Sequence, residues 1–239
     1  MFKVVILIAG AVACLAGWNK TAEAQEVNQA LNARQKAIVP IAAFSAGGEL
    51  DRLKTALNEG LEAGLTVNEI KEVLVQLYAY AGFPRSLNAL GAFMEVMKDR
   101  ESRGLKDEAG PEANPLPAGK SRLELGTENQ TTLAGGPVGG SLYDFAPAID
   151  FFLKDHLFGD IFGRDNLDFQ SREIATVAAL ANISGLNPQL QAHFNISLNV
   201  GLTEGQLKNL VEVLKSKVGP RVGDNAAGVL ETALKNRAG

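Results

Sequence analysis

Cysteine is nearly absent from this chain. Cys14 is the only one in 239 residues, and it lies inside an apolar N-terminal stretch that reads as a removable leader. A mature chain without it holds no thiol, so disulfide scaffolds, cysteine nucleophiles, thiol peroxidases and cysteine-type zinc sites are excluded together. Histidine is scarce too: His156 and His193 are too few for a histidine-rich metal centre, and neither a metal nor another cofactor is expected. Positive charge is not in surplus. The 23 Lys+Arg stand against 27 Asp+Glu, a formal net charge of −4 that argues against nucleic acid as a partner. Aromatics make up only 6% of residues, and Ala, Leu, Gly and charged residues dominate, which favours helices over a sandwich of short strands. What is present suits a globular protein: 46% hydrophobic and 21% charged residues, in a length fit for one large domain or two small ones.

A long apolar run is also missing. Val4 to Trp18 is 15 residues without a charge, short of the roughly 18–20 that a membrane span needs, so no stable span is expected. Lys3 supplies a positive start, and Ala22-Glu23-Ala24 before Gln25 is a small-x-small cleavage signal. Residues 1–24 therefore read as a secretory signal peptide, with an exported, periplasmic or secreted product beginning at Gln25. Lipoprotein processing at Cys14 is the rival reading; Ala11-Val12-Ala13 fits it poorly, because a Leu-like residue is expected three positions before the cysteine. A buried N-terminal helix is the remaining alternative.

The rest of the chain carries an internal repeat. At an offset of 137, residues 36–98 match 173–235 without a gap, and 15 of the 63 positions are identical. They include Asn58/Asn195, Gly64-Leu65-Thr66/Gly201-Leu202-Thr203, Gly82/Gly219 and Asn88-Ala89/Asn225-Ala226. Matching glycines and caps imply matching helix stops and starts. Thr66 with Glu69 and Thr203 with Gln206 are capping boxes, each just after a glycine suited to left-handed helix closure. Leu50, Leu53, Leu57 and Leu61, then Ile70, Val73, Leu74 and Leu77, recur at helical spacing. The second copy repeats this with Leu190, Phe194 and Leu198, then Leu207, Leu210 and Leu214. The pattern predicts an all-α fold with helices over 35–46, 49–63, 67–81 and 87–99, and again over 171–184, 188–200, 204–217 and 224–236. The expected organisation is a first unit over 25–100, a Gly/Pro-rich linker over 101–142 and a second unit over 143–239. Leu123, Leu125 and Leu133 can pack, so the linker is expected to be partly ordered and to wrap across the units. Residues 143–162 start an extra amphipathic helix whose aromatic face plugs the second unit or a subunit contact.

Several stretches together resemble the carboxymuconolactone decarboxylase family in a two-copy form. They are Phe152-Leu153-Lys154-Asp155-His156-Leu157-Phe158-Gly159-Asp160-Ile161-Phe162, Arg172-Glu173-Ile174-Ala175-Thr176, Gln191-Ala192-His193-Phe194, and Asn199-Val200-Gly201-Leu202-Thr203. In the first copy, Tyr80-Ala81-Gly82-Phe83-Pro84-Arg85 looks like the family's third-to-fourth helix turn. The resemblance implies the alkylhydroperoxidase-D-like helical fold, assembled as a homo-oligomer, trimeric or hexameric, with sites buried between helices and subunits. Its peroxidase branch carries a Cys-x-x-Cys pair, and Gly185-Leu186-Asn187-Pro188-Gln189 holds no cysteine where that pair would lie. The thiol-free decarboxylase branch keeps a Glu and a His, which match Glu173 and His193. The first copy has Lys36 and Ala56 at those positions, so an acid–base site belongs to the second copy.

Each candidate has a plain structural alternative. His193 lies beside an apolar helical stripe, where a lone histidine is most often structural; as a site residue its imidazole would give and take protons near neutrality. Glu173, in the first turn of its helix, complements the helix dipole or orients His193. Arg172 and Arg85 are candidate clamps for a substrate carboxylate, since a guanidinium binds it in bidentate fashion, and surface solvation is the other fate of each. Asn195, matched by Asn58, reads as a shared structural hydrogen bond, and His156 as structural or interfacial. The favoured function is a lyase of the carboxymuconolactone decarboxylase type acting on a small carboxylated lactone or related acid. The alternative is a non-catalytic binding or scaffold protein that kept the fold.

Overall fold

Side-chain caps and glycines set the helix boundaries. The computed structural model describes residues 29–238, and the expected leader lies outside the described residues. Asn32 opens α1 (Ala33–Gly47) by a reciprocal capping box with Gln35, and Gly48 closes it at φ 73°, in the left-handed region that a β-carbon disfavours. α2 (Leu50–Glu62) gives way to the box of Thr66 and Glu69, which starts α3 (Val67–Gln76). The helix expected over 67–81 breaks at Leu77. The single turn α4 (Tyr78–Ala81) follows, then Gly82 at φ 81°, and α5 (Phe83–Ser102) begins with Pro84, where a missing N–H costs nothing.

The stretch 101–142, expected as a partly ordered linker, holds a helix whose bounds the sequence reading did not give. Ser121 and Glu124 form another capping box and start α6 (Arg122–Ala134), which ends at Gly135. The short helices α7 (Ser141–Phe145) and α8 (Pro147–Phe152) lead into a π-helical stretch, Leu153–Ile161. α6 lies along that stretch at close range because Gly126 and Gly159 carry no side chain. A β-carbon on Gly126 would run into the Lys154 carbonyl oxygen. Upstream, the chain straps over the start of α3: the amides of Val67 and Asn68 donate to the carbonyls of Glu108 and Ala109, at 2.9 Å each. Leu133 is buried in this packing, while Leu123 is exposed. Phe151 and Phe152, expected on a plugging face, are exposed as well.

Asp168 caps α9 (Phe169–Ala181), and Pro188 sits in the first turn of α10 (Asn187–Asn199). Thr203 and Gln206 box the start of α11 (Glu204–Val213), which runs into a π-helical turn at Leu214–Val218 before Gly219 and α12 (Pro220–Ala238). No strand occurs among the described residues; the fold is all-α.

α1 is buried from Ile38 to Ala46 and α9 from Ser171 to Ala181. Both helices are buried on every side along these stretches, and they pack against each other at the centre. Leu53, Leu57, Ile70 and Leu74 close on one side and Leu190, Phe194, Leu207 and Leu210 on the other, giving one continuous core. Each fully buried Leu or Ile contributes about 1.5–3 kcal/mol. A smaller cluster, Leu133, Leu157, Phe158, Ile161 and Phe162, joins α6 to the first π-helical stretch. Among the described residues no helix is long and apolar enough to cross a membrane.

Candidate functional site

α9 and α10 run as a hairpin, which lets a residue in the second turn of one, beyond the first turn expected for Glu173, face a residue midway along the other. Glu173 and His193 meet this way: His193 Nδ1 lies 2.7 Å from Glu173 Oε2. Glu173 is fully buried, and the His193 side chain is 12% exposed. A carboxylate can only accept, so Nδ1 carries the proton, and Nε2 is the ring nitrogen available to a ligand. The second carboxylate oxygen, Oε1, is buried without a hydrogen-bond partner.

Tyr80, on α4, completes the surroundings of the imidazole. Its ring stands edge-on to His193, with centroids 5.5 Å apart and planes at 79°. Its hydroxyl is buried near Thr176. That threonine already donates to the Arg172 carbonyl and accepts from Gln76 Nε2, and the phenol makes no bond of good geometry. Burial, and then the Glu173 carboxylate, push the Tyr80 phenol far above its usual range, so it stays protonated. The sequence reading quoted Tyr80 only as part of a helix turn. A break before Gly82 is legible locally; its meeting with His193 is not.

His193 and Tyr80 open onto a cavity of about 570 Å³, within the size range of small-molecule sites. Its wall is mainly apolar: Leu142, Ile149, Leu153, Leu157, Phe158 and Ile196. α6 adds Gln130 and Ala134, so the supposed linker forms part of the pocket. The wider turn of the π-helical stretch places Leu153, Leu157 and Phe158 together on this wall.

The two arginines lie elsewhere. Arg172 is not a clamp awaiting a ligand: it is fully buried, and its guanidinium donates to Gln76 Oε1 at 2.9 Å, Glu72 Oε1 at 2.8 Å and the Arg164 carbonyl at 2.7 Å. Burial pulls the Arg172 guanidinium below its usual value, and Glu72 works against that shift. Arg164 Nε reaches both Glu72 oxygens at 2.9 Å, so the network ties α3 to α9 and to the loop before it. Arg85 is exposed, lies over Gly48 and is not part of the pocket wall. Asn58 and Asn195 each donate to the carbonyl four residues earlier, at 3.0 and 3.3 Å. His156 Nδ1 pairs with Asp160 Oδ2 at 2.7 Å on its own helix.

Against known proteins, residues 13–95 match the model of the Carboxymuconolactone decarboxylase family. That stretch includes Tyr80 but neither Glu173 nor His193, and it begins inside the apolar N-terminal run. No curated protein matches the chain.

Proposed function

We propose that this protein is a carboxymuconolactone decarboxylase-like enzyme acting on a small carboxylated lactone or related acid by general acid–base chemistry. The observation that carries the reading is the 2.7 Å contact of His193 Nδ1 with the fully buried Glu173, at the wall of an open apolar pocket. A scaffold that had merely kept the fold would have no reason to leave such a space unfilled beside a buried carboxylate.

In this mechanism the apolar wall disfavours the substrate carboxylate more than the charge-dispersed transition state. The carbon–carbon bond to the carboxylate breaks and carbon dioxide leaves. The electron pair is delocalised toward the lactone carbonyl, and His193 Nε2 delivers a proton to the carbon. Glu173 holds the Nδ1 proton, fixes the ring and stabilises its cationic form. Water returns the proton to His193. No thiol takes part.

His193→Gln is expected to lower turnover about 10²–10⁴-fold with folding nearly intact, and Glu173→Gln to cost less. The assay is carbon dioxide release from lactone and β,γ-unsaturated acids. Equal turnover in His193→Gln, or a lowered melting temperature without a specific loss of turnover, would sink the assignment.

The reading extends to the whole chain. Two tandem units, 25–100 and 143–239, with 101–142 between them, are supported by the gapless self-match and by the twin boxes at Thr66 and Thr203. Gly64 and Gly201, at φ 90° and 93°, agree, and so does the packing of α1 against α9, which the self-match makes equivalent. Export with cleavage after Ala24 rests on the leader's pattern, and a trimer or hexamer on the exposed Leu142, Phe145, Phe151 and Phe152. Intact mass and light scattering test the two: a lipid-modified Cys14 or a clean monomer would refute them.

A further inference from the structure

Three side chains at four-residue spacing along α3 and α4, Glu72, Gln76 and Tyr80, meet α9 and His193. Glu72 takes the Arg172 guanidinium. Gln76 is fully buried and grips the α9 backbone: its Nε2 donates to the Arg172 carbonyl at 2.9 Å and to the Thr176 hydroxyl at 2.8 Å. Those two residues bracket Glu173, one position before it and three after. Tyr80 sets its ring edge-on to His193, and its hydroxyl has no partner, so the ring is what it contributes. Glu173 has one oxygen on His193 and the other without a partner. Its aim therefore depends on the backbone that carries it and on the imidazole it meets.

The internal match makes this arrangement one-sided. The offset of 137 puts Asn209, Val213 and Lys217 where Glu72, Gln76 and Tyr80 stand, and Lys36, Val39 and Ala56 where Glu173, Thr176 and His193 stand. Asn209 accepts from the Leu31 amide at 3.1 Å, and Lys217 reaches Glu59 at 3.1 Å on the surface. The unit without the acid–base pair thus carries the side chains that hold it, and the unit with the pair carries none of them.

We propose that Gln76 and Tyr80 are positioning residues for the reaction: Gln76 fixes the part of α9 from which Glu173 faces His193 Nδ1, and Tyr80 stops the imidazole from turning away. This rests on the acid–base reading of Glu173 and His193. It gives the first unit a function in a site whose chemical groups it lacks. A neutral imidazole carries its one proton on either nitrogen, and the hydrogen bonds around it select which. A well-aimed Glu173 keeps that proton on Nδ1 and leaves Nε2 free. A loosened one selects less sharply.

Nitrogen-15 chemical shifts of the neutral His193 ring read this ratio in the whole protein and need no substrate. The variants are Gln76→Met, Tyr80→Leu and Tyr80→Phe, with Leu53→Ala in α2 as a fully buried core change outside the network. In the wild type the Nδ1–H form is expected to outweigh Nε2–H at least about tenfold. Gln76→Met and Tyr80→Leu should cut that ratio about three- to tenfold, and carbon dioxide release should fall with it. Tyr80→Phe, which keeps the ring, and Leu53→Ala, which only lowers the melting temperature, should stay within about twofold of wild type. An unchanged ratio in Gln76→Met and Tyr80→Leu overturns the proposal. So does an equal change in Leu53→Ala, because the effect would then be a general loss of stability. Tyr80→Phe as damaging as Tyr80→Leu overturns the part given to the ring. If Gln76→Met does not fold, the two Tyr80 variants still decide. A wild-type ring protonated on Nε2 removes the acid–base reading together with the proposal. The expected ratios with undiminished carbon dioxide release in His193→Gln remove that reading alone and leave the positioning standing.

Discussion

Removing the carboxylate of Glu72 should destabilise the protein without touching the pocket. Glu72 is 2% exposed and Arg172 not exposed at all, and their Oε1–Nη2 distance is 2.8 Å. In Glu72→Ala the Arg172 guanidinium keeps only Gln76 and the Arg164 carbonyl, and its Nε already lacks a partner. Leaving one half of a buried ion pair costs about 3–5 kcal/mol. Arg164, 40% exposed, can swing away and admit water, so the lower end is expected. In a chain of this size, about 3 kcal/mol corresponds to a fall in Tm of roughly 6–12 °C. The decisive comparison is Glu72→Leu with Arg172→Met, which replaces both charges by apolar groups of similar length. It should recover most of the loss and come within about 1–2 kcal/mol of wild type. Urea unfolding followed by circular dichroism, with both single variants, completes the cycle. A Glu72→Ala protein within about 1 kcal/mol of wild type would mean that the guanidinium is not buried as described. A double variant as unstable as the sum of the singles would mean that the two side chains are not coupled. The double variant should leave the His193 pocket as it is, since Arg172 is not part of its wall; a specific loss of turnover in it would restore Arg172 as a ligand clamp.

Two further outcomes follow from local geometry. Gly126→Ala forces a β-carbon against the Lys154 backbone and should cost about 1–3 kcal/mol or more, with faster hydrogen exchange in α6 and Leu153–Ile161, whereas Gly91→Ala, a helical site with open space around it, should be neutral or stabilising by up to about 1 kcal/mol. The Asp165 carboxyl is held below its usual range by the Asn114 side chain and then by the Asn114 backbone N–H; a lowered folded value stabilises above the unfolded pKa of about 3.9 and is lost as pH falls through the folded one, so the protection of the Asn114 amide relative to its intrinsic exchange rate should fall in acid, and unchanged protection down to full protonation would refute the clasp.

Local chemistry was legible because its partners lie within about four residues of each other. Thr66 with Glu69 and Thr203 with Gln206, the glycines at 64, 82, 201 and 219, and the leucine spacing placed the main helices to within a few residues. The candidate dyad was legible only through the resemblance to a family branch that keeps a Glu and a His; the pattern alone reads His193 as structural, and a hairpin allows Glu173 to face it. What only the tertiary structure decided concerns residues that meet across long separations. Ser121 and Glu124 carry a readable cap, yet α6 became part of the pocket because Gly126 and Gly159 let two backbones approach, and nothing local announces that. Tyr80 reads as one residue of a turn until α4 lays its ring on His193. Arg172 reads as a solvated or ligand-binding cation, and its burial depends on Glu72 and Gln76 arriving from α3. A side chain's type sets what it can bond. Whether water, a ligand or another helix supplies the partner is settled only when the chain has closed around it.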